Sequence, residues 1–226
     1  MIIFIFKINS VLISKVAIFI RKMICAFIVM KCEGFSQISD LHDYLSNNLI
    51  IAHYCGFDIT KKLPSYAKFT RFIREFDNGM LQTVMQSQVL KAAGLSLIDS
   101  SFVALDATPV KANVFNNNPK SFKKAKFSKA YPPKADKDCR LGVQTASNQH
   151  NEKKYDFYWG YKNHILVDCM SGLPVCELTT GANVSDSSVT LEILKRANFF
   201  FPLAECSFLA DKAYDVKAIY NAVHDI

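Results

Sequence analysis

The sequence lacks the features that mark several protein classes. Its seven cysteines include no Cys-x-x-Cys pair, so the spacing typical of zinc fingers is missing, and their odd number argues against a disulfide scaffold. Eight glycines and seven prolines are too few for a collagenous or linker-dominated chain. Because half of the residues are hydrophobic and 12% are aromatic, intrinsic disorder is excluded as well. We therefore expect a folded protein with reduced and mostly buried cysteines.

Long uncharged apolar runs are also missing. A membrane-spanning helix needs about 18 or more such residues, and a signal peptide places its charge before the apolar run. Residues 1–30 are strongly apolar, but basic residues divide them into stretches of at most eight. These residues are Lys7, Lys15, Arg21 and Lys22. The segment predicts two buried helical stretches and no membrane span, with an amphipathic helix on a membrane surface as the alternative.

Basic residues are concentrated in one segment. Between Lys111 and Arg140 the sequence holds nine basic and two acidic residues, and the other 18 basic and 18 acidic residues cancel, so this segment carries the whole net charge of +7. Such a segment is typical of a protein that binds nucleic acid or an anionic membrane. A solvated, lysine-rich loop is the alternative. The nine basic residues are Lys111, Lys120, Lys123, Lys124, Lys126, Lys129, Lys134, Lys137 and Arg140.

The hydrophobic periodicity changes near residue 100. Up to about residue 95 apolar residues recur at helical spacing. Beyond it, short apolar runs predict strands, the first of which ends in Asp106 and must stop by Pro109. Further strands are expected over 161–168, 173–180 and 206–210, and helices over about 187–198 and from 215 onward. The predicted class is α/β, a mixed sheet with helices on its faces, preceded by an all-α N-terminal region. We expect two domains, 1–95 and 96–226, with a basic insertion at 111–140.

Two carboxylates follow predicted strands. Asp106 ends the apolar run that begins at Phe102, and Asp211 follows the run that begins at Cys206. Carboxylates at the ends of separate strands can share a hydrated Mg²⁺ or Mn²⁺ ion, which supports phosphoryl transfer. The alternative is that each aspartate forms a turn or caps a helix.

Several strings of the sequence carry a family resemblance. FVALDATPVKAN (102–113), FYWGYKNHILVDCMSGLPVCELTTGANVSDSS (157–188) and FLADKAYD (208–215) together resemble the DDE transposases of bacterial insertion sequences. Upstream, EGFSQISDLHDYL (33–45) and GFDITKKLPSYAKFTRFIREF (56–76) are similar to the helical N-terminal region of the same transposases. The resemblance covers nearly the whole chain from about residue 23.

The resemblance implies a ribonuclease-H-like catalytic core and a function in DNA transposition. Asp106 and Asp211 match the first two catalytic, metal-binding aspartates, with Mg²⁺ or Mn²⁺ as cofactor in a two-metal arrangement. The implied partners are transposon-end and target DNA, together with a possible second copy of the chain, and no small-molecule cofactor is expected. The implied location is the bacterial cytoplasm, at the nucleoid. Residues 1–95 would bind DNA or support assembly, and the nine basic residues together with Lys162 would contact DNA.

Further polar residues in these motifs have less definite roles. Asp186, in Gly-Ala-Asn-Val-Ser-Asp, is interpreted first as a helix cap and second as a catalytic helper, and Asp215 is a possible auxiliary residue. Lys162 and His164 are expected to contact the DNA backbone or to face solvent rather than to act as acid or base.

One departure from the family pattern concerns its third carboxylate. In the family this residue is a glutamate on a helix well beyond the second aspartate. Here fifteen residues follow Asp211, and no glutamate occurs after Glu205. The sequence therefore predicts a C-terminally truncated transposase that is inactive alone. The alternative function is a non-catalytic DNA-binding fragment that inhibits or regulates a full-length transposase.

Overall fold

The computed structural model describes residues 15–99, 101–114, 129, 132–147, 153–203 and 205–224. The chain divides after Asn78 into two compact units, and each is described by itself. The predicted division of function between residues 1–95 and 96–226 stays a prediction.

The first unit is helical, as the periodicity predicts. Its core contains fully buried side chains from three of the helices, including Met23, Leu41, Leu45 and Phe69. Phe27 packs edge-on against Phe69, with ring centroids 6.1 Å apart, a geometry favoured by the quadrupoles of aromatic rings. The helices of this unit are α1 (Lys15–Cys32), α2 (Ile38–Asn47), α3 (Leu49–Tyr54) and α4 (Tyr66–Glu75).

The apolar N-terminal segment lies partly within the described residues. Residues 1–14 lie outside them, and the rest of the segment belongs to the single helix α1. Its buried residues Met23, Ala26 and Met30 follow helical spacing, whereas Arg21 is exposed. No helix in the described part of the chain is both long and apolar enough to cross a membrane.

The second unit combines a five-stranded mixed sheet with helices. The central strand β3 pairs antiparallel with three strands, β1, β2 and β4, whereas β5 pairs parallel with β1. This mixed α/β architecture confirms the predicted class and is compatible with a ribonuclease-H-like core. The elements are α5 (Asn78–Gly94), β1 (Phe102–Lys111), β2 (Arg140–Ser147), β3 (Lys153–Asp168), β4 (Pro174–Gly181), α6 (Asp186–Phe200), β5 (Ser207–Ala210), a 3-10 turn (Lys212–Tyr214) and α7 (Lys217–His224).

The core of this unit lies between the sheet and helices α5, α6 and α7. Leu105 of β1 lies opposite Leu166 of β3, and both pack with Ile193 and Leu194 of α6. Burying one such aliphatic side chain contributes about 1.5–3 kcal/mol. This core fixes the position of α6 on the sheet, and with it the position of Asp186 at the start of the helix.

Pro109 does not end β1, contrary to the prediction. The strand continues to Lys111, and Pro109 lies opposite Lys162 of β3. The parallel pairing of β1 with β5 stops at Leu105, and no described strand pairs with that edge of β1 beyond this residue. A proline is tolerated at an unpaired strand edge because no neighbouring strand needs a hydrogen bond from its N–H.

Strand β2 was not predicted, and β3 begins at Lys153 rather than at Tyr161. The basic insertion therefore ends in an ordered strand at Arg140. Tyr155 and Phe157 are exposed in the first half of β3, so the alternation of buried and exposed side chains that marks a strand is weak there.

The seven cysteines are all free. Cys55, Cys139 and Cys176 are buried, whereas Cys32 and Cys169 are exposed. The expectation that most of the cysteines are buried is therefore wrong, because only three of the seven are buried.

Gly160 lies where three strands meet, and replacing it tests the described strand pairing. It pairs with Lys111 of β1 and with Arg140 of β2, and a Cβ atom added to it would collide with the backbone carbonyl of Val110. Gly160→Ala should lower the free energy of unfolding by about 1–3 kcal/mol, as overpacking does. Urea unfolding measures this change.

The matched control is Gly94→Ala, because an added Cβ meets nothing within 4 Å at that helical position. This variant should be neutral, or stabilising by up to about 1 kcal/mol. If the Gly160→Ala variant were as stable as the unmodified protein, the close approach of β1 to Gly160 would be contradicted.

Candidate active site

The two aspartates that were predicted to be catalytic each follow one member of a residue pair in the parallel strands β1 and β5. Leu105 of β1 lies opposite Ala210, the last residue of β5. Asp211 directly follows β5, whereas Asp106 is the next residue within β1 and does not end that strand as predicted, because β1 continues to Lys111 through its pairing with β3. Neighbouring strands lie about 4.8 Å apart, so these two backbone positions are neighbours. Both side chains are exposed to solvent. The fold therefore brings together two carboxylates that are far apart in sequence.

Local hydrogen bonds orient both carboxylates. The backbone N–H of Ala107 donates to Oδ1 of Asp106 at 2.7 Å, and the N–H of Ala213 donates to Oδ1 of Asp211 at 2.8 Å. Asp211 thereby caps the 3-10 turn Lys212–Tyr214. The turn-forming role considered as an alternative is thus present at Asp211, and it also orients the carboxylate.

The carboxylates of Asp106 and Asp211 are suitable ligands for a hydrated magnesium or manganese ion. Mg²⁺ is commonly bound through one or two carboxylates and keeps several of its waters, so Asp106 and Asp211 suffice as protein ligands. Within the described residues, no group of three or more His, Cys, Asp or Glu side chains could hold a metal ion. A site formed by the protein side chains alone is therefore not seen in that part of the chain.

Asp186 does not act as the N-terminal cap of α6, contrary to the first interpretation. Ser185 occupies the cap position, no side-chain cap hydrogen bond forms, and Asp186 lies in the first turn. Instead, Nζ of Lys162 donates to Oδ1 of Asp186 at 2.9 Å and to the carbonyl of Val184 at 3.1 Å. The carboxylate is also stabilised by the positive end of the helix dipole.

Lys162 is held within this cluster and is not a free surface cation in the structure. Its side chain is 18% exposed, and that of Asp186 is 29% exposed. The role of Lys162 in contacting DNA stays a prediction, and it would require the ammonium group to leave its carboxylate partner.

His164 is fully buried, so the expectation that it faces solvent is wrong. Its Nε2 lies 2.9 Å from the hydroxyl of Thr180, and its Nδ1 lies 3.8 Å from Oδ1 of Asp186. Burial lowers the pKa of this imidazole and Lys162 lowers it further, whereas Asp186 opposes the shift. His164 therefore tends to the neutral form in the folded protein.

Two tyrosines beside Asp186 were not singled out in the sequence. Tyr158 and Tyr214 are 4% and 5% exposed, and neither hydroxyl has a hydrogen-bond partner within the described part of the protein. Burial raises the pKa of both phenols, and the charge of Asp186 raises it further. For Tyr214 the charges of Asp106 and Asp211 act in the same direction. Its place in FLADKAYD was the available signal.

Asp215, the second possible auxiliary residue, follows the 3-10 turn and is exposed. It accepts a hydrogen bond from the hydroxyl of Tyr220 at 3.3 Å. This contact is local, and its auxiliary role stays a prediction.

The predicted DNA-binding residues are only partly within the described residues. Lys120, Lys123, Lys124 and Lys126 lie outside them. Lys129, Lys134 and Lys137 are exposed, and Lys111 pairs with Asp156 at 3.2 Å. Arg140 donates to the carbonyls of Lys137 and Cys139 at 2.8 and 3.0 Å. A surface cleft is lined by Lys129, Lys137, Arg140, Trp159 and Asn183, among others.

One contact ties the end of the basic segment to the sheet. The hydroxyl of Tyr161 lies 2.8 and 2.9 Å from the two carboxylate oxygens of Asp136. The same carboxylate accepts from the backbone N–H groups of Asp138 and Cys139. Asp136, one of only two acidic residues in the segment, therefore fixes the chain that precedes β2.

Comparison with known proteins agrees with this geometry. A family model described as a transposase DDE domain matches residues 97–225, more than half of the chain. The chain belongs to the DDE transposase family. The match includes Asp106, Asp186 and Asp211 as well as the whole sheet. No curated protein and no solved structure matches the chain significantly.

The buried histidine of this transposase-family chain predicts a pH dependence of stability. The unfolded chain protonates His164 near its ordinary pKa of 6.5, whereas burial lowers the pKa in the folded state. Below pH 6.5 the unfolded state therefore binds more protons, so stability should fall as the pH drops from 7 toward 5.5. The slope from one such group is at most about 1.4 kcal/mol per pH unit.

Urea unfolding at several pH values tests this expectation. His164→Gln should flatten the dependence, whereas the control His53→Gln, which changes an exposed histidine, should leave it as in the unmodified protein. An unchanged pH profile in His164→Gln would show that another group causes the loss of stability.

Proposed function

We propose that this chain is an insertion-sequence transposase that binds transposon-end DNA and whose reaction is metal-dependent strand cleavage and transfer. The prediction that the chain is inactive alone is part of this proposal. The observation that carries the proposal is that Asp106, within β1, and Asp211, directly after β5, occupy neighbouring backbone positions. Membership of the DDE transposase family supports it. The remaining predictions belong to the same proposal: a cytoplasmic, nucleoid-associated protein, a possible homo-oligomer, and a DNA-binding or assembly role for residues 1–95.

The chemistry follows from the two carboxylates. Asp106 and Asp211 would hold Mg²⁺ or Mn²⁺, and the 3-10 turn keeps the Asp211 carboxylate oriented through the N–H of Ala213. A bound divalent ion supplies activation of water or a 3′-hydroxyl and stabilises charge on the scissile phosphate. Because both carboxylates are exposed, a DNA backbone can reach them without opening the core.

DNA affinity would come mainly from the basic segment. Lys129, Lys134 and Lys137 are exposed and can neutralise phosphates without breaking an interaction described above. Phosphate contacts of this kind give affinity that depends on salt and little on base sequence. The contact between Asp136 and Tyr161 would hold the described part of the segment against the sheet while DNA is bound.

A non-catalytic, regulatory DNA-binding chain is the second candidate function. It is favoured by the absence, among the described residues, of a third carboxylate that completes a metal-binding group. Nicking of supercoiled plasmid in Mn²⁺ separates the two candidates. Nicking that Asp106→Asn abolishes supports the transposase reaction, whereas DNA binding without nicking supports the regulatory role.

Metal binding gives a direct test of the two aspartates. Asp106→Asn and Asp211→Asn should each weaken Mn²⁺ binding by at least about tenfold, because each removes a negatively charged ligand. Free Mn²⁺ is measured by electron paramagnetic resonance during titration of the full chain.

The matched control is Asp99→Asn, which neutralises an exposed carboxylate that precedes the opposite end of β1. Its Mn²⁺ affinity should stay within twofold of that of the unmodified protein. Equal losses in all three variants would indicate a general charge effect and contradict a site at Asp106 and Asp211.

Salt dependence tests the basic segment. The double variant Lys134→Gln/Lys137→Gln should weaken duplex DNA binding and reduce the slope of log K against log salt by about 2, because each phosphate contact contributes about 0.9. Fluorescence anisotropy at several salt concentrations measures the slope. Lys91→Gln/Lys195→Gln, which removes the same charge from helices α5 and α6, should leave it unchanged. Equal slopes in the two double variants would rule out these phosphate contacts.

A further inference from the structure

One face of the antiparallel pair β2–β3 carries a row of aromatic and aliphatic side chains. Alternate residues of a strand share one face of the sheet, and directly opposed residues on that face lie side by side. Here three successive cross-strand pairs form what we call the aromatic ladder. The pairs are Leu141 with Trp159, Val143 with Phe157, and Thr145 with Tyr155. The ladder therefore places three aromatic residues at alternate positions along β3.

The exposure of these aromatic side chains increases along the ladder. Trp159 is 6% exposed, whereas Phe157 is 44% and Tyr155 is 57% exposed. Val143, opposite Phe157, is exposed as well. Apolar groups that are exposed next to one another on a surface commonly mark a binding site. The catalytic role proposed above uses none of these residues, so the outer part of the ladder needs an explanation of its own.

The buried end of the ladder lies in the basic surface cleft. Trp159 and its partner Leu141 line this cleft together with three cations, Lys129, Lys137 and Arg140. All three cations are exposed, and no acidic residue is among the described residues that line the cleft. Flat apolar groups and positive charge are thus combined in one continuous surface. Such a surface is complementary to an anionic ligand with flat apolar parts.

Unpaired nucleotides have this chemistry. Their bases stack on aromatic side chains, and their phosphates are attracted by neighbouring cations. Alternate residues of a strand are about 6.8 Å apart, so the side chains of Tyr155 and Phe157 leave room for one base between them. In a duplex the faces of each base are already covered by the neighbouring base pairs. The ladder therefore fits an unpaired strand better than a duplex.

A second copy of the chain is the competing occupant of this surface. In a twofold interface the same patch of both copies meets, so the cations of the cleft in one copy would approach those of the other. Like charges that face each other across an interface cost free energy. An anionic strand avoids this cost and gains from the same cations. Charge complementarity therefore favours nucleic acid as the occupant.

We propose that the aromatic ladder binds an unpaired DNA strand, with Tyr155 and Phe157 stacking on its bases and the cations of the cleft holding its backbone. The inference rests on the proposed function, because it takes DNA as the substrate. It adds that the DNA bound by this chain contains unpaired nucleotides, and it assigns their site to β2 and β3.

The test uses the double variant Tyr155→Leu/Phe157→Leu of the full chain. Leucine keeps a large apolar side chain but has no aromatic face, so the variant should fold while stacking is lost. Fluorescence anisotropy with a labelled oligothymidylate should show at least about tenfold weaker binding, because each stacked base contributes about fivefold or more. Affinity for a labelled duplex should stay within twofold of that of the unmodified protein.

Two further measurements locate the effect. Phe199→Leu changes a strongly exposed aromatic residue of α6 and should leave the affinity for oligothymidylate within twofold. Trp159 is the only tryptophan of the chain and lines the cleft, so its fluorescence should change when oligothymidylate binds to the unmodified protein. Tyr155→Leu alone, at the most exposed position of the ladder, repeats the test with an expected loss of about fivefold.

Each outcome has a definite meaning. A loss of affinity for oligothymidylate in the ladder variants, with duplex affinity and the free energy of urea unfolding maintained, supports the inference. Affinities for oligothymidylate equal to that of Phe199→Leu, or a parallel loss of duplex affinity, overturn the inference alone. If the unmodified protein binds neither probe, the proposed DNA binding fails and the inference fails with it. An altered oligomeric state in analytical ultracentrifugation without a loss of affinity assigns the ladder to a second copy and overturns the inference.

Discussion

The parallel pairing of β1 with β5 is the constraint on which the candidate site depends. Parallel strands need a long crossover, and here the chain between them forms β2, β3, β4 and α6 before it returns beside β1. The four paired residues Phe102–Leu105 carry this register, and a slip of one residue would turn Asp211 to the other face of the sheet. The packing of α6 against the sheet and α7 stabilises the return, because its buried residues Val189, Ile193 and Ala197 contact the same core as β1. The packing that stabilises the core of this unit therefore also sets the geometry of the candidate site.

The connection between β1 and β5, which includes α6, also explains why polar groups are buried around Asp186. Helix α6 must start close to the sheet, and its first turn then faces Lys162 and His164 of β3. The ion pair with Lys162 compensates the partial burial of the Asp186 carboxylate, and the positive end of the helix dipole adds to this. The neighbouring hydroxyls of Tyr158 and Tyr214 remain without partners among the described residues. The structure thus retains buried polar groups that cost free energy in the core of this unit.

Much of the fold could be predicted from the sequence, as could the pairing that places Asp106 near Asp211, and the reasons for the failures are physical. Short apolar runs ending in aspartate predicted β1 and β5, and the family motifs distinguished Asp106 and Asp211 from ordinary turn formers. Pro109 was taken as a strand end because the sequence does not show which strand edge is left open. The role of Asp186 was predicted as a cap because its partner Lys162 lies 24 residues earlier and only the packing of α6 brings them together. Tyr214 was not singled out, although it lies in the motif FLADKAYD, because the sequence does not show that its hydroxyl is buried without a partner.

The position of the basic segment relative to the carboxylates is set by β3. Tyr161, which holds Asp136, lies four residues before Ile165, the residue opposite Asp106. At about 3.3 Å per residue, the anchor and the catalytic position are separated by about 13 Å along the strand. Since phosphates along one DNA strand are spaced by about 3.4 Å of helix axis, this separation corresponds to about four nucleotides. On the proposed function, a DNA backbone running along β3 would place a phosphate at the Tyr161 end of this separation about four nucleotides from one at Asp106 and Asp211.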